Sequence, residues 1–284
     1  MMTANPFFSE LRRSWITQAA LVIAVLYTLV ALFGPWIAPY DPTRILSMPR
    51  QDPSAQFWLG TDEIGRDVLS RLLYGTRIAY VVAIVATGIG LVFGALLGLI
   101  AAFFSGYADS IIMRLMDILL AFPGLLLALA IITILGPGLG NAMIAIGVGS
   151  IPEFARLMRG EVLGLMNRDH VLAARSMGAG NLRIMGKHLV PFALATMLVY
   201  STAQLARAVL TEAGLSYLGL GVQPPTPSWG GMIATGQQHL TTTPLLALIP
   251  GAAIMGLIFV LNILGDSLRD ALDPHQRGLS RKPS

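Results

Sequence analysis

Residues 78–104 contain no charged side chain and no proline. At about 1.5 Å per residue such a run reaches across the roughly 30 Å hydrocarbon core of a bilayer. The stretches 16–38 and 244–264 are also free of charge. Lipid offers no partner to a backbone N–H or C=O, so a crossing segment must close its hydrogen bonds internally as a helix. Three further apolar stretches carry sparse charge: 111–135, entered through Arg114 and Asp117; 142–165, interrupted by Pro152 and charged from Glu153 onward; and 192–221, with Arg207 and Glu212. The pattern predicts an all-α polytopic membrane protein of six transmembrane helices. Composition agrees: 55% of the 284 residues are hydrophobic and 12% charged, where soluble domains carry about 25%. With no cysteine, disulfides and thiolate metal sites are excluded.

The six spans form one transmembrane domain, 16–268, between a polar leader at 1–15 and a polar tail at 269–284. The first apolar run is too long for the ~7–15 residue core of a signal peptide and reads as a retained helix. Four prolines at Pro39, Pro42, Pro49 and Pro53 discourage regular structure before residue 59. Residues 62–74 read as an amphipathic helix, with Val68, Leu69, Leu72 and Leu73 on one face and Arg66, Asp67, Ser70 and Arg71 on the other. In the second span Gly90, Gly94 and Gly98 recur every fourth residue and make a flat stripe for a neighbouring helix. A tight turn is expected at 105–110, an Arg114–Asp117 pair one helical turn apart, and a loop over 222–243 with Trp229 at the membrane boundary. An even number of spans puts both termini on one side. Most Lys and Arg then gather there, so the termini and the polar stretch 169–191 are assigned to the cytoplasm. The basic pI of about 9.7 is thereby read as a topology signal, with no nucleic-acid partner.

Residues 169–191, DHVLAARSMGAGNLRIMGKHLVP, are the longest polar interruption in the second half. Asp169 can cap a short helix with Val171, Ala174 and Met177 at helical spacing. Gly178 and Gly180 supply a break where positive φ is easy, and Asn181 can cap a second helix running to Pro191. A helix–turn–helix with exposed apolar side chains makes a docking surface, against the plainer reading of an interhelical loop.

The spacing of Ala173-Ala174, Gly178 and His188-Leu189-Val190-Pro191 resembles the EAA loop of ATP-binding-cassette (ABC) importer permeases; Leu172 stands at that family's Glu. Residues 59–77, 114–123 and 215–231 are similar to the C-type permeases of dipeptide, oligopeptide and nickel importers. The resemblance implies a type I ABC importer permease in the bacterial inner membrane. It implies a heterodimer with a homologous permease, two cytoplasmic ATPase subunits that bind ATP and magnesium, and an extracytoplasmic solute-binding protein. It places the ATPase-coupling role on Ala173, Ala174, Arg175, Met177, Gly178, Arg183, His188 and Pro191. Di- or oligopeptides are the implied solutes, with nickel or another small solute as the alternative.

The chain's own chemistry is sparse. Gly186-Lys187 lacks the first glycine of a phosphate loop, occupied by Asn181, and has His188 where Ser or Thr should hold magnesium. No zinc helix or serine elbow is present, and no cofactor or metal site is predicted; His239, beside Gln237 and Gln238, is the least settled histidine. Arg207 and Glu212 lie inside the fifth span, where ionisable groups are costly. They either line the translocation path or form structural pairs with other helices. A secondary transporter would need mid-membrane coupling groups and inverted repeats; such groups are too few and no repeat is evident.

Overall fold

The computed structural model describes residues 15–272. The expected leader, apart from Trp15, and the tail beyond residue 272 lie outside the described residues. The described chain is helical: α1 (Trp15–Ile37), α2 (Val68–Phe104), α3 (Gly106–Leu120), α4 (Gly124–Leu135), α5 (Leu139–Leu165), α6 (Asp169–Ser176), α7 (Asn181–Arg183), α8 (Val190–Tyr217), α9 (Trp229–Gly236) and α10 (Leu245–Leu272). By length and apolar composition α1, α2, α10 and the continuous stretch Asn181–Tyr217 can each cross a membrane. The bent pair α3–α4 makes a fifth candidate if counted as one span. The fold is therefore an all-helical membrane protein with four or five spans on those criteria. Helix α5 is long enough, but Glu153, Arg156, Arg159 and Glu161 lie within it.

Several expectations are corrected. The third span is not one straight helix: α3 and α4 meet at 93°. Pro123 lacks an N–H and disfavours helical backbone at Phe122, so the helix stops there and restarts in a new direction. The turn expected at 105–110 shrinks to Ser105, whose φ of 53° separates α2 from α3. Asp117 does not pair with Arg114; it takes Arg156 of α5 at 2.6 Å. Trp229 is buried in α9, its indole N–H donating to the Leu72 carbonyl at 3.1 Å. That bond satisfies the one polar group of a large apolar ring. Residues 222–243 are thus not all loop: Ser228 accepts from the Gly231 N–H and caps α9.

The amphipathic helix at 62–74 is also corrected. Residues 62–67 form a turn, and the helix begins at Val68, capped by the Asp67 carboxylate, and runs unbroken to Phe104. Its supposed polar face is buried. Asp62 explains why. One carboxylate oxygen accepts from the Ile64 and Arg66 N–H groups, the other from Arg66 Nε at 2.6 Å. Arg71 Nε stands 3.3 Å away without the alignment of a hydrogen bond, a charge–charge contact, while its Nη1 donates to the Pro42 carbonyl. The charges are buried because they satisfy one another and pin the 39–67 segment to the head of α2.

Three apolar clusters fill the interior. The first joins Leu99 of α2 and Phe154, Met158 and Val162 of α5 to Val171, Ile184 and Leu189. The second packs Val68, Val209, Trp229 and Leu257 at the opposite end of α2. The third joins Val82, Ala128, Ile132, Ala145 and Leu215. Helices α2 and α5 lie closest together. A Cβ on Gly94 would sit 2.5 Å from Phe154 Cβ and 2.6 Å from the Ile151 carbonyl oxygen. One on Gly98 would meet the Ala155 carbonyl oxygen, and one on Gly90 the Ser150 hydroxyl.

Backbone atoms cannot swing aside. Gly94→Ala is therefore expected to lower stability by about 1–3 kcal/mol through overpacking. Gly88→Ala, with nothing within 4 Å of its Cβ, is expected to be neutral or to gain about 0.5–1 kcal/mol from helix propensity. Thermal unfolding of the two purified variants in detergent checks this; equal midpoints would refute the close contact.

Candidate functional site: a docking face and a polar cavity

The candidate coupling residues lie together on one end of the bundle. Helix α6 ends in a Schellman turn. Gly178 adopts φ 77°, its N–H donates to the Arg175 carbonyl, and the Ala179 N–H reaches back to the Ala174 carbonyl. These bonds satisfy two orphan carbonyls and require a left-handed residue after Met177. A Cβ on Gly178 would meet nothing within 4 Å, so its glycine is required by backbone conformation rather than by space. Asp169 and Asn181 are not caps: Arg168 and Gly180 occupy those positions, and neither makes a side-chain capping bond.

The second helix is more altered. It is α-helical only over Asn181–Arg183, widens to a π-helix over Ile184–Leu189, and continues into α8 instead of ending at Pro191. Pro191 has no N–H and its ring crowds the carbonyl four residues back, which the wider turn relieves. Val171, Ile184 and Leu189 point inward into the first core cluster and Ala174 is buried, while Met177 and Leu182 are 81% and 85% exposed. Ala173, Arg175, Arg183 and Pro191 are exposed and His188 is half-buried. Arg175 lies over the Phe103 ring at 5.8 Å. His170 stacks on Phe192 at 4.7 Å and on His188 at 6.4 Å.

Nearby, two ion pairs tie α3 to α5: Arg159 grips both Asp109 oxygens at 2.6 Å, and Arg156 meets Asp117. A bare sequence could not pair residues 39 and 50 positions apart.

A second feature is a cavity of about 260 Å³ between α2, α4, α5 and α8, slightly below the ~300–1,000 Å³ usual for small-ligand pockets. Thr87, Ser150, Glu153, Gln204, Arg207 and Thr211 supply its polar lining. Arg207 donates through Nη1 to both oxygens of Glu153, at 2.7 and 2.9 Å. Tyr200 also donates to Glu153, at 2.5 Å, and so does Gln204. Glu212 is elsewhere. It is 2% exposed, does not line the cavity, and accepts from the Ser216 hydroxyl at 2.6 Å. Arg207 and Glu212 thus have separate partners.

Glu153 is the residue that sequence reasoning passed over. The criterion that singled out Arg207, an ionisable group inside an apolar stretch, applies to it equally. Its role as Arg207's partner could not be read, because the two are 54 positions apart. Among the described residues no three His, Asp or Glu side chains gather as a metal site; His239 lies 3.5 Å from Arg50 instead.

Comparison with known proteins adds the family. Residues 94–278 match the family described as binding-protein-dependent transport system inner membrane component. Residues 7–59 match the N-terminal TM domain of oligopeptide transport permease C. The chain is 46% identical over 261 residues to the di/tripeptide transport system permease protein DppC of Pseudomonas aeruginosa, covering 89% of this chain and 86% of that protein. It is 40% identical over 276 residues to the glutathione transport system permease protein GsiD of Escherichia coli, covering 96% and 91%. An inward-facing structure of the MetNI methionine ABC transporter superposes with a TM-score of 0.58 at 21% identity, covering 72% of this chain and 97% of that one; this likeness speaks to fold alone. A match over most of the chain, at these identities, makes this multi-pass inner membrane protein a member of the binding-protein-dependent permeases of the oligopeptide permease C type, the membrane subunit of an ABC importer that works with ATPase subunits and is not itself an ATPase.

Proposed function

We propose that this permease carries di- and tripeptides inward, and that it does so as one half of a heterodimer with a homologous permease, fed by an extracytoplasmic solute-binding protein. The 46% identity to a di/tripeptide permease across 89% of the chain carries this reading. The relatives named for glutathione, itself a tripeptide, favour that solute as the second candidate. The chain crosses the membrane six times, by α1, α2, the bent pair α3–α4, α5, α8 and α10, with both termini in the cytoplasm. Helix α5 is the least apolar of these, and its charges are offset by pairing with Asp109, Asp117 and Arg207. The cytoplasmic ATPases hold ATP and magnesium and dock on the face of α6 and the π-turn, where Met177 and Leu182 project. Arg207, with Glu153, lines the translocation path; Glu212 supports the outer part of α8 from within the protomer.

Reconstituted with its partner permease, ATPases and binding protein, the importer is expected to accumulate labelled dipeptide only with ATP inside the vesicle or on the ATPase side. Uptake driven by an ion gradient without ATP would reject the reading. Unlabelled glutathione competing as well as unlabelled dipeptide would favour the second candidate.

Topology follows from the same assignment. Single cysteines at Ser54 and Thr226, both exposed, are expected to react with an impermeant maleimide added outside intact cells, and one at exposed Ser176 only after permeabilisation. External labelling at Ser176 would overturn the inward termini.

Gly178→Asn keeps a residue that tolerates left-handed backbone, whereas Gly178→Val costs about 1–2 kcal/mol in that conformation and misdirects the chain toward Leu182. The expected outcome is near-normal ATP-driven uptake for the first. For the second, the permease is inserted but its ATPase co-purification and uptake fall several-fold. Equal coupling in both variants would argue against this face.

A further inference from the structure

The cavity's polar groups are not equally engaged. Glu153 is well engaged: Arg207, Tyr200 and Gln204 all donate to it. The Thr211 hydroxyl donates to the Arg207 carbonyl and the Ser150 hydroxyl to the Gly147 carbonyl, so both protons are spent on their own helices. Among the polar groups of the lining, two have unused donors. Arg207 uses only Nη1; among the described residues its Nε and Nη2 have no acceptor, and its side chain is 59% exposed. Thr87, 5% exposed, has a hydroxyl with no partner, an unusual state for a buried polar atom.

The free edge of Arg207 is the Nε–Nη2 side, the planar fork that matches a carboxylate through two parallel hydrogen bonds. The adjacent fixed anion matters too. An unpaired guanidinium in a low-dielectric site would hold a carboxylate tightly, while Glu153 offsets part of its charge. A group that must be passed on needs contact strong enough to enter and weak enough to leave.

From this geometry we propose that Arg207 receives the α-carboxylate of a passing peptide through its Nε–Nη2 edge, with the Thr87 hydroxyl as a second polar contact in the same cavity. This rests on the reading of the cavity as part of the translocation path. Every α-linked di- or tripeptide has one C-terminal α-carboxylate whatever its side chains, so this contact is independent of peptide sequence. Glu153 is a positioning residue: it fixes Arg207 and tempers its charge.

The test uses the complete reconstituted importer with one binding protein throughout. ATP-driven uptake is measured for a dipeptide with a free C-terminus and for its C-terminal amide, each at concentrations that saturate the binding protein. Arg207→Met is expected to lower free-acid uptake about tenfold, the scale of a lost charge-assisted pair, and to lower amide uptake per assembled complex far less, so that the acid-to-amide ratio falls. Thr87→Val, nearly isosteric, is expected to shift the acid-to-amide ratio about threefold in the same direction. If both peptides fall together in intact Arg207→Met complexes, the carboxylate contact is wrong while the path reading stands. If neither changes, both are wrong. Should Arg207→Met not assemble, Arg207→Lys keeps the charge without the fork and is expected to reduce the acid-to-amide ratio; an unchanged ratio there and in Thr87→Val overturns the proposal.

Discussion

The contact between α2 and α5 is the one on which the other features depend. Gly94 and Gly98 remove the side chains that would hold the two backbones apart, and Phe154, Ala155 and Met158 fill the space. Between membrane helices there is little hydrophobic drive, since lipid is as apolar as leucine, so such packing must carry the association. Phe154 is completely buried and meets Tyr200 of α8 edge-on at 5.2 Å. Tyr200 in turn donates to Glu153, the neighbour of Phe154. The side chain that locks α5 onto α2 therefore also braces the residue that anchors Arg207.

Helix α5 thus links the docking face to the cavity. Met158 and Val162 enter the same cluster as Val171, Ile184 and Leu189, which root the docking helices. One turn earlier Glu153 enters the cavity wall. The route from Val171 to Glu153 is a continuous set of packed side chains, the kind of contiguous body through which displacement at one site can reach another. The bidentate Arg159–Asp109 pair brings α3 into that body. The candidate docking face and the cavity wall therefore share one helix, α5.

Much of this was legible because lipid imposes a simple rule. Uncharged runs such as 78–104 had to be helical, and Gly178 marked its turn through a conformation that few residues other than glycine adopt readily. Pairing across the fold was not legible. Asp117 had two candidates, Arg114 in its own helix and any cation elsewhere, and proximity in sequence favoured the wrong one. The charges at Arg66 and Arg71 had the spacing of a wet helix face, and nothing local revealed that Asp62 would gather them. The partner of Trp229 was hidden for a related reason: its indole N–H reaches a carbonyl 157 positions away, that of Leu72. The bend at Pro123 was available, since an X-Pro step inside an apolar run is a physical break.

The two ionic groups show how burial separates architecture from operation. In the Asp62 cluster the Asp62 and Arg66 side chains are 6% and 8% exposed, and Asp62 is surrounded by donors from its own turn. Removing one partner there would strand a buried charge, a loss of about 3–5 kcal/mol. Such a cluster fixes the 39–67 segment in one arrangement. At Arg207 and Glu153 the side chains are 59% and 31% exposed. Solvent screens that pair, so it adds at most about 1 kcal/mol to stability. A pair so exposed contributes little to folding and leaves the Nε–Nη2 edge of Arg207 open to exchange.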